Sequence, residues 1–291
     1  MECMVNQIDA FTSEPGQGNP AGVILNGDDY SEEQMQNIAA EVGFNECVFV
    51  CASNEADIKL RYFTPGHETP LCGHATVGAI YLLSQPMAKD QEWKIETGAG
   101  ILNVLYQKET QSITMEQSAA TFIPFEGDPE RIAQILGIQM TDLAEGLPLT
   151  YGNTGSWTFI VPVKNEAVLD KMTPLEKEFP KILSEMPRSS IHPFAFVEGE
   201  EDVYSARHFS SPFSGTTEDS VTGTASGVMA AYLLNHRYSE EAEKQIFIRQ
   251  GKHVGREGEL TVLAKKSEDG HHNVSITGTA CKNKTFSVRI N

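Results

Sequence analysis

The sequence predicts an α+β protein of two similar domains, each a curled, mostly antiparallel sheet around one central buried helix. Three observations predict it: short strand-like runs are spread along the 291 residues, two helical segments lack a polar stripe, and the halves repeat several segments in the same order. A helix that is apolar all round must be covered on every side. A sheet curled about each helix provides that cover, and the chain is long enough for two domains.

The predicted strands alternate apolar and polar residues or are rich in β-branched side chains. The runs are IKLRYF (58–63), ILNVLYQ (101–107), DVYSARHF (202–209), ELTVLA (259–264) and NVSITG (273–278). They are typical of strands with one buried face.

Three helices are indicated by their end signals. Ser31 with Gln34 forms a capping box before EEQMQNIAAEV, and Gly43 closes that helix. Asp128-Pro129 opens ERIAQIL with an N-cap and a first-turn proline. Thr173-Pro174 opens LEKEFPKIL in the same way, with Pro180 as an interruption.

The two helices without a polar stripe belong to a repeat. ATVGAIYLL follows CGH, and ASGVMAAYLL follows TGT. RYFTP and RHFSSP begin 146 residues apart (207 − 61), and CGHA and TGTA begin 150 apart (222 − 72). This order predicts a duplication, with an N-terminal domain over 1–118 and a C-terminal domain over 119–291. Whether the last strand returns to the first domain stays open.

Composition excludes several classes of partner. The formal net charge is −18, which disfavours nucleic acid and anionic membrane surfaces. No apolar run approaches a membrane span of about 20 residues, and the first residues lack a signal-peptide pattern. Five scattered cysteines without a C-x-x-C spacing favour reduced thiols. We therefore expect a cytoplasmic protein that acts on a small molecule.

Glycines mark where that molecule should bind. Gly73 and Gly223 stand at the starts of the two buried helices, where backbone N–H groups lack helical partners and the dipole is positive. If the two domains face each other, both helix ends point into one cleft. A substrate that carries a carboxylate is the expected occupant. Taken singly, each glycine is more typical of a simple turn.

Several segments together resemble the phenazine-biosynthesis-like, or PhzF-like, proteins, which are related in fold to diaminopimelate epimerase. These segments are DAFTSEPGQGNPAGVIL (9–25), GFNECVFV (43–50), FTPGHETPLCGHATVG (63–78) and EDSVTGTASG (218–227). The resemblance extends over almost the whole chain. It implies an isomerase scaffold that needs no metal or organic cofactor and forms a homodimer.

The resemblance also implies roles for single residues. Glu46 becomes the best candidate general acid/base, with His74 and Asp219 as further catalytic residues. Asn19, Gly73, Gly223 and Thr224 become substrate-binding residues. From the residues alone, Glu46 reads as a solvated loop carboxylate. His74 and Thr224 read as turn or capping residues, and Asp219 as a carboxylate at a helix entry.

Cys72 precedes the Gly-His pair, where a two-thiol epimerase would hold its first thiol. The repeat places Thr222 at the second position, and a hydroxyl does not form an equivalent of the thiolate at neutral pH. Catalysis by a cysteine pair is therefore disfavoured, and Cys72 reads as a small buried residue.

No metal site is predicted. His67-Glu68 does not continue into H-E-x-x-H, and His271-His272 reads as an exposed turn between strands. No G-x-S-x-G elbow or P-loop is present.

Three functions stay open. The first is a cofactor-independent isomerase that moves a proton on a small carboxylated substrate, which could be cyclic or carry an amino group. The second is an epimerase or racemase that uses bases other than cysteine. The third is a non-catalytic binding or regulatory protein on the same scaffold.

Overall fold

A computed structural model describes residues 2–289 and divides them into two compact units. The first unit extends to Glu116 and takes in the segment from Thr277 onward, and the second unit is Gln117–Ile276. The sequence analysis had put a boundary between 118 and 119 and had left the place of the last strand open. Each unit is a curled, mostly antiparallel sheet with a central helix, so the predicted fold class is confirmed.

The first unit contains nine strands and three helices among the described residues. Its strands are Glu2–Ala10, Asn19–Ile24, Glu46–Cys51, Ile58–Phe63, Glu68–Thr69, Gln91–Thr97, Gly100–Gln107, Ser112–Glu116 and Ala280–Arg289. Its helices are the 3₁₀ turn Gly27–Asp29 and the α-helices Glu32–Val42 and Gly73–Ser84. We call Gly73–Ser84 the first central helix.

Strand pairing in the first unit joins the two ends of the chain. Glu2–Ala10 pairs antiparallel with Ala280–Arg289 on one side and with Asn19–Ile24 on the other. The next four pairings, in order, are parallel, antiparallel, parallel and antiparallel, and they lead to Gly100–Gln107. The last strand is therefore a member of the first sheet.

The second unit contains the remaining elements. Its strands are Thr121–Pro124, Thr150–Asn153, Trp157–Pro162, Ser190–Phe196, Val203–Ala206, Glu243–Gln250, Gly258–Lys266 and His272–Gly278, the last ending just past the unit boundary. Its α-helices are Pro129–Ile135, Glu166–Lys171, Phe179–Ile182 and Gly223–His236, with 3₁₀ turns at Met140–Asp142, Glu176–Glu178 and Lys252–Val254. We call Gly223–His236 the second central helix.

The second sheet repeats the pairing order of the first. Thr150–Asn153 pairs antiparallel with Trp157–Pro162, and the following pairings are again parallel, antiparallel, parallel and antiparallel. In both units the central helix lies between the strands of the second parallel pair in chain order. This shared order extends the sequence repeat from short motifs to strand topology.

Both central helices are buried, as their missing polar stripe predicts. Residues 74–80 of the first helix and 225–234 of the second are buried without interruption. Complete burial of one side chain of the size of Ile80 or Leu233 contributes about 1.5–3 kcal/mol. The starts of these helices are consequently fixed parts of each unit.

The capping predictions are confirmed for two of the three helices. Ser31 and Gln34 make the reciprocal capping box, and Gly43 ends the helix in the left-handed conformation at φ 70°. Asp128 accepts a hydrogen bond from the Glu130 N–H. The helix predicted to start at Thr173-Pro174 does not form there. The structure has the 3₁₀ turn Glu176–Glu178 and the short helix Phe179–Ile182 instead, and Pro180 lies in the first turn of that helix.

A second local expectation is also wrong. His272 begins a strand and is buried, with its ring edge-on to Phe122, whereas the sequence predicted an exposed turn. None of the helices described within residues 2–289 is long and apolar enough to span a membrane.

Candidate active site

The position of Glu46 is set by where one helix ends and the next strand begins. Gly43 ends the helix Glu32–Val42 in the left-handed conformation, and the chain reverses into the strand Glu46–Cys51. Glu46 pairs with Ala21 of the parallel neighbouring strand. Its side chain is 22% exposed, so the carboxylate is anchored on a sheet while still reachable by a small molecule.

His74 lies in the first turn of the first central helix and contacts Glu46. The His74 Nε2 atom is 3.4 Å from the Glu46 Oε2 atom, and the His74 side chain is only 9% exposed. The resemblance assigned both residues to catalysis, and the fold brings them together although 28 positions (74 − 46) separate them. A carboxylate beside an imidazole can exchange a proton with substrate and with its neighbour.

Cys72 completes this cluster. Its Sγ atom is 3.4 Å from Nδ1 and 3.9 Å from Nε2 of His74. Glu46, Cys72 and His74 each offer one ligand atom, and these atoms all lie within 4.8 Å of one another. Among the described residues, these three are therefore a group that could hold a metal ion.

The neighbouring thiol of Cys47 is chemically different. Burial raises the pKa of Cys47 to about 12, and the nearby charges of Cys3 and Glu46 add to that rise. Cys47 therefore stays a neutral thiol beside the candidate base.

The first turn of the central helix faces the cluster with its positive end. The intrahelical hydrogen bonds begin at the Thr76 N–H, which donates to the Cys72 carbonyl, and the Thr76 hydroxyl donates to the same oxygen at 2.7 Å. The N–H groups of Gly73, His74 and Ala75 precede that bond and have no acceptor within the helix. A methyl group on Gly73 would meet Met115 Cε at 3.3 Å, so the turn is closely packed.

Asn19 is held in place by a residue that the sequence analysis did not single out. Asn19 begins its strand and is fully buried. The fully buried Asp9 carboxylate accepts hydrogen bonds from the Gly16 N–H and the Asn283 amide, both at 2.7 Å. Gly18 has φ 61°, and a Cβ there would meet the Ala10 carbonyl oxygen at 2.2 Å. Asp9 thus fixes the loop before Asn19, and its place in the DAF segment was the available signal.

Asp219 belongs to the corresponding turn of the second unit. Its Oδ2 atom accepts a hydrogen bond from the Thr222 hydroxyl at 2.7 Å. Gln250, which is 3% exposed, donates from its amide to the Asp219 carbonyl and accepts from the Thr222 N–H. The sequence analysis gave Gln250 no role, because neither its burial nor its hydrogen bonds to a turn 28 residues earlier in the chain (250 − 222) can be read from the sequence.

Gly223 and Thr224 are also tied down through their backbones. The Gly223 carbonyl accepts from the Gln117 amide, and the Thr224 carbonyl accepts from the Thr154 hydroxyl, both at 2.9 Å. Thr222 occupies the N-cap position of the second central helix without a side-chain cap, as Cys72 does in the first. The two turns are therefore equivalent in backbone role and differ in chemistry.

The chain is similar to known proteins over almost its whole length. The family model for phenazine biosynthesis-like proteins matches residues 8–285. The chain is 45% identical to the Bacillus subtilis protein named Uncharacterized isomerase YfhB, with 99% of each chain covered. It is 30% identical to the trans-2,3-dihydro-3-hydroxyanthranilate isomerase of Pseudomonas aeruginosa, with 93% of this chain and 94% of that protein covered.

Solved structures of the same family also match this chain. A PhzF-family phenazine biosynthesis protein of Bacillus anthracis superposes with a TM-score of 0.94 at 44% identity, and both chains are covered completely. A hydroxyproline epimerase of Agrobacterium vitis shares the fold alone, with a TM-score of 0.63 at 12% identity over 99% of this chain and 91% of that one. Sequence, fold and local geometry together make this chain a member of the phenazine biosynthesis-like family.

Proposed function

We propose that the protein is an isomerase that moves a proton within a small carboxylated substrate, with Glu46 as the acid/base group and no metal or organic cofactor. The observation that carries this proposal is the 3.4 Å contact between the Glu46 carboxylate and the His74 imidazole at the start of a buried helix.

The proton transfer needs one group that works at two carbons. The Glu46 carboxylate takes a proton from one carbon, which leaves a delocalised anion on the substrate. The resulting carboxylic acid then returns the proton to another carbon of the same conjugated system, and a double bond shifts between them. His74 supports the step because its ring contacts the carboxylate and can share its proton.

The substrate carboxylate has a favourable partner in the first central helix. The N–H groups at its first turn and its positive dipole end stabilise negative charge. The same end would stabilise the anion formed during proton transfer. We assign Gly73 and Asn19 to substrate binding in the first unit, and Gly223 and Thr224 to the corresponding role at the turn of the second unit, where Asp219 is a further catalytic residue.

A two-thiol mechanism has less support. Thr222 stands at the position equivalent to Cys72, and its hydroxyl donates a hydrogen bond to Asp219. A hydroxyl held in this way is not a thiolate equivalent. This favours one carboxyl group over a pair of thiols as the base.

The names of relatives support both the reaction class and the type of substrate. The proteins from B. subtilis and P. aeruginosa are both named isomerases, and the second name specifies an amino-bearing cyclic carboxylate. We propose that this chain takes a substrate of that class.

The test compares Glu46→Gln with Glu92→Gln, a matched change at an exposed position of the same unit. Ligands come from a thermal-shift screen of cyclic and amino-bearing carboxylates that includes trans-2,3-dihydro-3-hydroxyanthranilate. Solvent deuterium uptake into the substrate reports proton transfer. We expect Glu46→Gln to keep its fold and bind ligand but lose about 10²–10⁴-fold in rate, while Glu92→Gln retains the wild-type rate.

A third variant, Cys72→Ala, separates carboxylate from thiol chemistry. We expect it to turn over at a rate close to wild type. Normal turnover by Glu46→Gln together with an inactive Cys72→Ala would overturn the assignment. Exchange at the α-carbon with inversion, rather than a shifted double bond, would identify an epimerase instead.

A further inference from the structure

The cluster of Glu46, Cys72 and His74 has the composition of a transition-metal site. We propose that these three side chains bind one Zn²⁺ ion and that the bound ion inhibits the enzyme by occupying its proton-transfer groups. The inhibition, though not the binding, rests on the function proposed above.

Two of the three distances between the ligand atoms are near those of a tetrahedral site. Zinc binds sulfur at about 2.3 Å and imidazole nitrogen or carboxylate oxygen at about 2.0–2.2 Å, which puts S···N near roughly 3.6 Å and N···O near roughly 3.4 Å. Here Cys72 Sγ is 3.9 Å from His74 Nε2, and Glu46 Oε2 is 3.4 Å from the same nitrogen. The Cys72 sulfur lies nearer to Nδ1 of His74 than to Nε2 and within 4.8 Å of the Glu46 carboxylate. Binding of one ion at Nε2 therefore requires the Cys72 side chain to rotate toward Glu46, by roughly 1 Å or more.

The ligand types select the ion. A thiolate and an imidazole favour zinc and similar thiophilic metals, whereas magnesium and calcium prefer oxygen ligands only. Three protein ligands leave a fourth tetrahedral position for water or for a carboxylate of a bound molecule. Two of the ligands carry negative charge when they bind metal, which offsets the divalent cation.

The protein already holds two ligands in position. Cys72 and His74 are both buried, and they flank Gly73 at the start of the central helix. The Cys72 carbonyl is fixed by two bonds from Thr76, whose hydroxyl also meets the buried Tyr62 hydroxyl at 2.7 Å. Glu46, the most exposed of the three, supplies the side from which an ion enters.

Occupation by zinc would remove the groups that the reaction needs. The metal would occupy the Nε2 lone pair of His74 and, by withdrawing electron density, make the Glu46 carboxylate a much weaker base. The pair would then no longer remove a proton from substrate. Cys72 has no part in the proposed proton transfer. Its thiol nevertheless makes the acid/base pair sensitive to thiophilic metals.

The binding test uses the apoprotein, freed of metal by a chelator and kept reduced with a phosphine. Cobalt(II) serves as a spectroscopic probe, and zinc affinity is measured by competition with a chelating dye. We expect one equivalent of cobalt to give a thiolate-to-metal charge-transfer band that zinc removes. Cys72→Ser should abolish the band and weaken zinc binding at least about 10²-fold, since even outer-shell partners of metal ligands cost 10–100-fold.

Two further variants keep the test decisive. Glu46→Gln should also weaken zinc binding and provides a second reading if Cys72→Ser does not fold. Cys281→Ser changes a half-buried cysteine outside the cluster and should bind as wild type does. A charge-transfer band and zinc affinity that persist in both Cys72→Ser and Glu46→Gln would overturn the site, as would a wild-type protein without the band.

Inhibition is measured separately on wild type and Cys281→Ser. Stoichiometric zinc should abolish deuterium uptake in both proteins, and a chelator should restore it. If zinc binds with the expected signature but turnover continues, the inhibition is overturned together with the role of Glu46, while the metal site stands. The binding measurements need no substrate, so a failure of the proposed reaction leaves them interpretable.

Discussion

His192 and His208 form a buried pair in the second unit that carries no assigned role. Their Nδ1 atoms are 3.3 Å apart, and the side chains are 0% and 7% exposed. Burial lowers the pKa of His192 well below its usual value, and the neighbouring His208 lowers it further. Burial also lowers the pKa of His208, although the charges of Asp219 and Glu218 act in the opposite direction. The pair is therefore neutral in the folded protein at neutral pH.

This pair predicts a loss of stability at mildly acidic pH. The folded-state pKa values lie below the unfolded value of about 6.5, so the unfolded chain binds more protons once the pH falls below that value. Above about pH 6.5 the free energy of unfolding of the second unit should keep its full value with respect to these two histidines. Below about pH 6.5 each histidine should reduce that free energy by up to about 1.4 kcal/mol per pH unit.

Urea unfolding at pH 7 and at pH 5.5 measures the effect. Trp157 lies in the second unit and Trp93 in the first, so a Trp93→Phe background makes tryptophan fluorescence report on the second unit. His192→Gln should show a smaller pH dependence than its parent. His271→Gln changes an exposed histidine of the same unit and should keep the parent slope. Equal slopes in all three proteins would contradict the prediction.

At the level of single residues, the sequence offered candidate residues for the site but not their geometry. Resemblance selected Glu46, His74 and Asp219 from their flanking motifs. The contact between Glu46 and His74 depends on strand pairing between segments far apart in sequence, which local patterns do not encode. Asp9 and Gln250 escaped notice because what distinguishes them is burial with several hydrogen bonds.

Each unit contains a matching ion pair ahead of its central helix. Arg61 donates from Nε and a terminal nitrogen to the two oxygens of Glu68, both at 2.7 Å. Arg207 binds Glu218 in the same two-point manner at 2.9 and 2.8 Å. Both guanidinium groups also lie over the phenylalanine two residues later, at 5.2 and 4.6 Å from the ring centres. The repeat therefore preserves an interaction as well as a sequence.

The two pairs differ in exposure, which predicts different energies. The Arg207 and Glu218 side chains are 7% and 14% exposed, against 22% and 37% for Arg61 and Glu68. Glu218→Ala leaves a buried guanidinium unpaired and should cost about 3–5 kcal/mol of the free energy of unfolding. Glu68→Ala should cost about 1 kcal/mol or less, because water and Glu32 still solvate Arg61.

Unfolding in urea, followed at Trp157 for Glu218→Ala and at Trp93 for Glu68→Ala, checks this difference. Equal losses in the two variants would show that burial does not decide the strength of the pair. Glu218→Gln, which keeps a hydrogen-bond acceptor, should fall between the wild type and Glu218→Ala.

Helices could be predicted where the sequence signal for them lies within a few residues. The Ser31 capping box and the Asp128-Pro129 start act over one helical turn, and both form. The Thr173-Pro174 signal failed because Pro180 removes a donor and leaves too few residues for a regular helix before it. The prediction for His272 was wrong because two histidines directly after a glycine are typical of an exposed turn. The strand that contains His272 is fixed by backbone pairing and burial, which the local sequence does not show.

The two units differ in how the chain builds them. Residues 117–276 form the second unit as one continuous segment with its own buried core, which includes Ile132, Phe159 and Phe209. The first unit needs the segment from Thr277 onward, whose strand pairs along Glu2–Ala10 from the Arg289–Glu2 pair to the Ala280–Ala10 pair.

Fragments should therefore behave differently. The fragment 117–276 should unfold cooperatively on its own, whereas 1–116 should not, because its first strand loses Ala280–Arg289 and keeps a neighbour on one side only. Placing 277–291 ahead of residues 2–116 through a short glycine-serine linker should restore cooperative unfolding, since Arg289 and Glu2 are register partners. Circular dichroism during heating measures all three. Cooperative unfolding of 1–116 alone would contradict the importance of the last strand.

The return of the final strand also sets the order in which the protein can mature on the ribosome. Domains usually fold in the order in which they are made, at about 5–20 residues per second. Here the first sheet must wait while the 160 residues from 117 to 276 are added, which takes roughly 8–32 s at that speed. During this time the edge of Glu2–Ala10 has no partner strand and is open to pairing with other chains. The unit that carries Glu46 and His74 is thus begun before the second unit and completed after it.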